Sequence, residues 1–258
     1  MNAFGPLLKR WRQQRRMSQQ ALSDSAEVST RHISFLENGR AAPSRQMVLL
    51  LTSALDLPLR ERNALLAAAG FSPAYSARDL SDPQMAPVRQ AVDFLFERCE
   101  PNPAIAVDRA WNLYAMNRGA QRMTAFFLEP HPELAAVAHN AMHLLFHPRG
   151  MRRFVVNWEA IAALTLDRLR REAVEDPRSA ALLEALSAYP STPAPSSPPT
   201  GDVLIPVHLR RDGVELRMAT LLTALGAPID ATARELTVEI YYPLDSFTER
   251  WLSDPESS

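Results

Sequence analysis

Apolar positions in the first seventy residues recur at helical spacing in five short runs. In "STRHISFLENGR", residues 29–40, steps of about 100° put Ile33 and Leu36 on one side and Thr30, Arg31, Ser34 and Phe35 on the other. Ser29 suits the start of that helix, because its hydroxyl can accept an orphan amide, and Gly39 suits the left-handed residue that ends it. Upstream, "SQQALSDSAEV" starts at Ser18, aligns Leu22 with Ala26, and turns near Glu27 and Val28. Two short helices across a tight turn form a helix-turn-helix candidate. "LLKRWRQQRR" precedes them, and Ser44 and Pro58 open "RQMVLLLTSALDL" and "LRERNALLAAAG".

Prolines and small polar residues break the periodicity after residue 70. We divide the chain into an all-α head at 1–70, a linker at 71–87 and a second domain at 88–253. That domain begins with a helix, "VRQAVDFLFERC", and two short strands, "NPAIAVD" and "WNLYAMN". Helices are expected in "GAQRMTAFFL", "ELAAVAHNAMHLLFH", "NWEAIAALTLDRLRREAV" and "SAALLEALSAY". A Pro/Ser loop at 190–201 suits neither helix nor sheet interior. "DVLIPVHLRR" and "VELRMATLLTAL" then alternate around Asp212-Gly213, a hairpin signal, and "ELTVEIYYP" adds a strand before a last short helix, "SFTERWL". The expected fold class is α+β, with a sheet of about five antiparallel strands in the second domain.

Composition narrows the class. The chain has 258 residues, 47% hydrophobic and 22% charged, enough to bury a sizeable core. No apolar run approaches the roughly eighteen residues that span a bilayer, and the start lacks an apolar signal segment, so a cytoplasmic protein without membrane contact is expected. The single cysteine, Cys99, excludes an internal disulfide and a multi-cysteine zinc site. Residues 1–80 hold eleven Lys/Arg and six Asp/Glu, a net of +5, against −6 for the remainder. A basic head on an acidic body suits a phosphate-facing domain joined to one that faces something else. A solvated basic face is the alternative for the arginines.

Residues 6–70 resemble a lambda-repressor-type (XRE) helix-turn-helix domain. Ser18-Gln19, Leu22, Val28-Ser29, Ile33 and Leu36-Glu37-Asn38-Gly39 stand at that family's spacing. The resemblance implies double-stranded DNA as partner, with Thr30, Arg31, Ser34 and Phe35 facing the major groove and Gln19 and Asn38 on backbone phosphates. Arg31 suits a guanine edge, and Phe35 either meets a thymine methyl or packs on a neighbouring helix. Glu27 stands where the family usually has Gly, a position where a left-handed backbone costs Glu more. Heads of this type usually read two half-sites, which implies a homodimer.

"AIAVDRAWNLYAMN", "HNAMHLLFHPRGMRRFVVNWEAIA", "LDRLRRE" and "GAPIDATARELTVEIYYPLD" resemble the MmyB-like regulators, which join such a head to a PAS-like ligand-binding domain. The resemblance implies that a small molecule is sensed between sheet and helices, and the apolar residues expected there suit a hydrophobic effector, fatty-acid or acyl-like. Trp111, Leu113, Phe126, Phe127, Leu144, Leu145, Trp158, Ile161, Met218 and Leu221 are the candidate apolar lining. Each of them also suits plain core filling. Asn117, Asn140, Asn157, Arg168 and Thr220 are candidate polar anchors. Asn117 equally suits a helix cap, and Arg168 a pair with Glu172 one turn on. No cofactor is implied. A rival reading is metal sensing by His139, His143 and His147, which recur every fourth residue. Another is a helix-turn-helix used for protein contact. Eight glycines with no phosphate-cradling loop, no G-x-S-x-G and no H-E-x-x-H leave no enzyme motif.

Overall fold

The five apolar runs of the head are five helices: α1 (Phe4–Gln14), α2 (Gln19–Ala26), α3 (Thr30–Glu37), α4 (Arg45–Ala54) and α5 (Leu59–Ala68). The computed structural model describes residues 3–174, 176–190, 192 and 204–254. Three serines cap helices: Ser18 Oγ accepts from the Ala21 amide at 2.9 Å, Ser29 Oγ from His32 at 3.3 Å, and Ser44 Oγ from Met47 at 3.1 Å. Gly39 closes the region after α3 at φ +69°. Glu27 ends α2 in the left-handed conformation, φ 52° and ψ 38°, at the position where glycine is the usual residue. Phe4, Leu8, Trp11, Leu22, Ile33, Leu36 and Leu51 are buried together as the core of these helices. Gly5 lets α1 approach α3 closely. A Cβ there would lie 2.5 Å from the Leu36 carbonyl oxygen and 2.6 Å from that of Glu37.

The chain forms two compact units, Met1–Asp82 with Gly226–Arg234, and Pro83–Leu225 with Glu235–Ser258. In the first unit the stretch after α5 is tied down by Asn63. Its Oδ1 accepts from the Ala74 and Tyr75 amides at 3.0 and 3.1 Å, and its Nδ2 donates to the Tyr75 carbonyl at 2.6 Å. Residues 226–234 join the same unit. The Ala231 amide donates to the Ser76 carbonyl at 2.7 Å, Arg78 donates to Asp230 Oδ2 from its amide (3.2 Å) and Nη1 (3.1 Å), and Arg60 donates to Thr232 at 3.1 Å.

The second unit contains α6 (Ala86–Cys99), β1 (Ala104–Val107), β2 (Leu113–Met116), α7 (Arg118–Phe127), α8 (Pro132–Val137), α9 (Ala141–Phe146), α10 (Trp158–Ala173) and α11 (Pro177–Ser187). After them come β3 (Val207–Arg211), β4 (Val214–Ala224), β5 (Thr237–Pro243) and α13 (Ser246–Ser253), while the short α12 (Ala231–Glu235) between β4 and β5 belongs, but for Glu235, to the first unit. The five strands pair antiparallel in the order β2-β1-β5-β4-β3, so the fold is α+β as the pattern predicts. Asp212 (φ 48°) and Gly213 (φ 82°) make the expected tight β3–β4 hairpin. The Pro/Ser loop at 190–201 lies outside the described residues, apart from Pro190 and Thr192.

One element differs from its pattern. "ELAAVAHNAMHLLFH" is two helices, α8 and α9, because Asn140 starts a new one. Its Oδ1 accepts from the Met142 and His143 amides at 3.0 and 3.1 Å, and its Nδ2 donates to the Ala110 carbonyl at 2.8 Å. A side chain that bonds the backbone locally competes with helix continuation, and here it wins.

Replacing Glu27 with Gly removes a Cβ from a left-handed position, at the cost of some unfolded-chain entropy. Chemical denaturation should show Glu27→Gly stabilised by about 0.5 to 1 kcal/mol. A loss of stability would show that the Glu27 side chain contributes more than its backbone strain costs.

Candidate functional site

The outer face of α3 is built from residues the core leaves over. Arg31 is exposed, and its guanidinium sits 5.1 Å from the centre of the half-buried Phe35 ring. Thr30 donates its hydroxyl to Gln20 Oε1 at 2.7 Å and meets Ser23 Oγ at 3.1 Å. Asn38, exposed after the last turn, donates its amide to the Ser34 carbonyl at 2.8 Å. Gln19 donates to Glu37 Oε2 at 2.8 Å, at the rim of a buried ion pair. In that pair Arg12 donates through Nε to Glu37 Oε1 at 2.6 Å and through Nη2 to Oε2 at 2.9 Å, with Nη1 on the Met17 carbonyl at 2.7 Å. Of the arginines of "LLKRWRQQRR", Arg12 is therefore buried, and the half-buried Arg15 is committed to the Leu55 and Asp56 carbonyls at 2.9 Å each. Lys9, Arg10, Arg16, Arg31, Arg40 and Arg45 remain at the surface of the unit. Burial pushes the Glu37 carboxyl up, but bonds from Arg12 and Gln19 outweigh it and hold the group below its ordinary range.

The second unit holds a void between sheet and helices. One cavity of about 120 Å³ is walled almost wholly by apolar side chains, among them Ile105, Met123, Met142, Leu144, Leu145 and Met218. A second, of about 240 Å³, shares Met142, Leu145, Ile161, Val207 and Tyr241 with the first and adds Trp111, Arg168, Thr220 and Glu239. The polar groups therefore gather in the second cavity. Arg168 lies 4.7 Å above the Trp111 ring and donates to Glu172 at 2.9 Å. Tyr241 donates its hydroxyl to Glu239 Oε2 at 2.8 Å. Burial pushes the Glu239 carboxyl up, against the Tyr241 bond and the Arg168 charge, and pushes the Tyr241 hydroxyl well above its usual value. Trp111 itself has φ 63°, rare for a bulky residue. Asp108 holds that turn by accepting from the Ala110 and Asn112 amides at 2.8 and 2.9 Å.

Of the fifteen sequence candidates for ligand contact, Leu113, Leu144 and Met218 line the first cavity, Trp111, Arg168 and Thr220 the second, and Leu145 and Ile161 both. The other seven line neither, and Leu221 among them is exposed. Asn117 caps α7, accepting from the Ala104 and Ala120 amides at 2.8 Å each, and Asn140 caps α9. Asn157 donates to the Pro206 carbonyl at 2.7 Å and accepts from the His208 amide at 3.3 Å. Phe127 and Trp158 pack edge-on against Phe126 and Phe146. The three histidines do not converge. His139 lies between α8 and α9, His143 bonds Tyr189 at 2.8 Å, and His147 approaches Glu133 at 3.9 Å. Among the described residues no group of three ligating side chains could hold a metal ion.

Residues 88–254 match the family described as the MmyB-like transcription regulator ligand binding domain, and residues 8–62 match a helix-turn-helix family. The chain belongs to the MmyB-like transcription regulators. The two matches give the chain a helix-turn-helix head and a ligand-binding domain. No curated protein matches this regulator. A solved structure, that of an RNA-binding light-oxygen-voltage receptor, aligns over 97% of the chain at 14% identity, with a TM-score of 0.27. The MmyB-like regulator spans 59% of that chain's length. No described helix is long and apolar enough to cross a membrane.

Sequence reasoning missed Glu239 and Tyr241. The available signal was an acidic residue at an alternating position in "ELTVEIYYP", on the face shared with Tyr241 and opposite Val238 and Ile240. It also missed the Arg12–Glu37 pair, whose members stand twenty-five residues apart.

Glu37→Ala leaves the Arg12 guanidinium buried without its partner, and should destabilise the first unit by about 3 to 5 kcal/mol in thermal or chemical unfolding. The depressed carboxyl also sets a sign with pH. Its stabilisation is complete above the unfolded value of about 4.3 and is lost as pH falls through the lower folded value. Glu37→Gln should flatten that acid limb, and an unchanged limb would show that the pair contributes nothing there.

Proposed function

We propose that this MmyB-like regulator reads duplex operator DNA as a homodimer through the outer face of α3. Thr30, Arg31, Ser34 and Phe35 are assigned to base edges, Gln19 and Asn38 to phosphates, and residues 1–70 to the DNA-binding domain. Supporting the reading, α3 buries only Ile33, Leu36 and Glu37, and Arg31 is exposed on its outer side. In the ligand-binding domain, assigned to residues 88–253, the effector is a small, largely apolar molecule of the fatty-acid or acyl class. The single observation that carries this is the pair of adjoining cavities, apolar at one end and polar at the other.

Strands β4 and β5 contribute Thr220, Glu239 and Tyr241 to the cavity wall, and residues 226–234 connect those same strands. That connection packs in the DNA-binding unit through Asp230, Ala231 and Thr232. A shift of the two strands on ligand entry would therefore pull on the Arg78–Asp230 pair, 3.1 Å long, and on the Ser76 backbone. A coupling of about 1 to 3 kcal/mol changes operator occupancy several-fold or more.

Mass spectrometry of small molecules extracted from denatured protein tests the effector class. An acyl or fatty-acid species is expected, and a purely polar metabolite would overturn the assignment. Arg31→Ala should weaken operator binding by about 1 to 3 kcal/mol in a gel shift while the fold is kept. An unchanged footprint would move the reading face elsewhere, and no shift with any upstream DNA would favour a protein partner. Binding should fall steeply with salt, and Arg40→Ala should lower the salt slope by about one per bound subunit, whereas a flat response excludes phosphate contacts. Asp230→Ala should leave a stable head and shrink the effect of ligand on operator affinity. A full response in that variant would rule out the 226–234 connection as the route.

A further inference from the structure

The polar end of the cavity contains more than an anchor for a carboxylate. Glu239 is 8% exposed and stands on β5 in the wall of the larger cavity. One carboxyl oxygen takes the Tyr241 hydroxyl at 2.8 Å. Among the described residues the other oxygen has no hydrogen-bond partner. The second oxygen is open to the cavity, and a ligand that displaces water from it must supply its bond, because an acceptor sealed off unpaired is costly. Arg168 faces the same space, its plane stacked on Trp111 at 4.7 Å and its Nε committed to Glu172 at 2.9 Å. Among the described residues its terminal nitrogens make no further hydrogen bond and can serve an acceptor. Thr220 lines the wall on β4, directly paired with Tyr241 in the sheet register. The cavity thus presents a cationic donor and, across from it, a carboxyl oxygen that calls for a hydroxyl or amide proton.

We propose that Glu239 is a specificity-determining residue, and that the effector is an acyl chain whose head carries a hydroxyl or amide N–H beside its carbonyl or carboxylate. The chain occupies the apolar cavity, the carbonyl or carboxylate meets Arg168, and the hydroxyl or N–H donates to Glu239. An unsubstituted fatty acid fills the apolar end but leaves the Glu239 oxygen unpaired, which a site built for a hydrogen bond penalises. This inference rests on the proposed acyl-class effector and narrows it.

The test titrates the full-length protein, stripped of small molecules, with dodecanoic acid, 3-hydroxydodecanoic acid and N-dodecanoylglycine by isothermal calorimetry. The two substituted chains should bind about tenfold tighter than dodecanoic acid, the worth of one hydrogen bond to a buried polar group. Equal affinities, or a preference for dodecanoic acid, in the unaltered protein overturn the proposal without any variant. Glu239→Met should collapse the ratio towards one, and Glu239→Gln, whose amide oxygen still accepts, should keep most of it. A ratio that persists in Glu239→Met would place the selectivity in another residue. If none of the three chains binds, the acyl-class reading itself fails and the narrower inference goes with it, whereas binding of all three with no preference removes only the latter.

Discussion

The buried ion pair between Arg12 on α1 and Glu37 at the end of α3 sets the orientation that everything outside α3 depends on. Its side chains are 9% and 1% exposed, and both bonds of the guanidinium fork are made, at 2.6 and 2.9 Å. α3 has only Ile33 and Leu36 to bury as apolar contacts. Each contributes about 1.5 to 3 kcal/mol by area, and neither is directional, so apolar packing alone leaves the rotation of so short a helix loosely set. A planar fork on a carboxylate is directional. Gln19 and the Met17 carbonyl extend the network to α2 and to the turn before it, so three helices meet at one carboxylate. Gly5 completes the constraint by letting α1 close on the last carbonyls of α3, where any side chain would collide.

Much of the head was legible because its signals are local. Ser18, Ser29 and Ser44 cap helices from within three residues, and Gly39 takes the left-handed conformation that its place after α3 requires. Glu27 takes it too, against its own preference, because the tight turn between α2 and α3 leaves no alternative backbone. What pattern could not supply was the fate of the basic residues. Charge counting treats all of Lys9, Arg10, Arg12, Arg15 and Arg16 as surface, yet Arg12 pairs twenty-five positions away and Arg15 reaches carbonyls forty and forty-one positions away. Such partners are set by tertiary packing, which neither spacing nor composition encodes. The phosphate-facing charge is correspondingly smaller than the sequence sum.

In the second unit the strands were readable and the cavity was not. Alternation located β1 to β5 and Asp212-Gly213 marked the hairpin, since both follow from period and turn chemistry. Asparagines looked like anchors because short amides suit polar heads. Asn117, Asn140 and Asn157 instead satisfy backbone groups at helix starts and a strand edge, where an unmet amide would be as costly as a lost ligand contact. Splitting α8 from α9 at Asn140 also takes His139 off the helix that carries His143, so the four-residue histidine spacing never becomes a stripe. Glu239 went unread because buried carboxylates are rare, and only the paired strands show its neighbours.

The same constraint recurs in both units. In the head a buried acid has every bond met, and its environment holds it ionised. In the ligand-binding unit a buried acid has one bond met, and its environment pushes it towards the neutral form. A fully satisfied network specifies one structure, whereas a half-satisfied one is stable only while the rest of the fold tolerates it. Trp111, held at φ 63° by the Asp108 bonds and stacked under Arg168, shows that the surrounding turn already bears strain at that place. The unmet bond and the strained turn lie on one cavity wall, and two of that wall's strands continue into residues 226–234 of the DNA-binding unit. A ligand that supplies the missing bond changes the energy of those strands more than one that only fills volume. On the proposed reading, effector identity and response are set by the same few polar atoms.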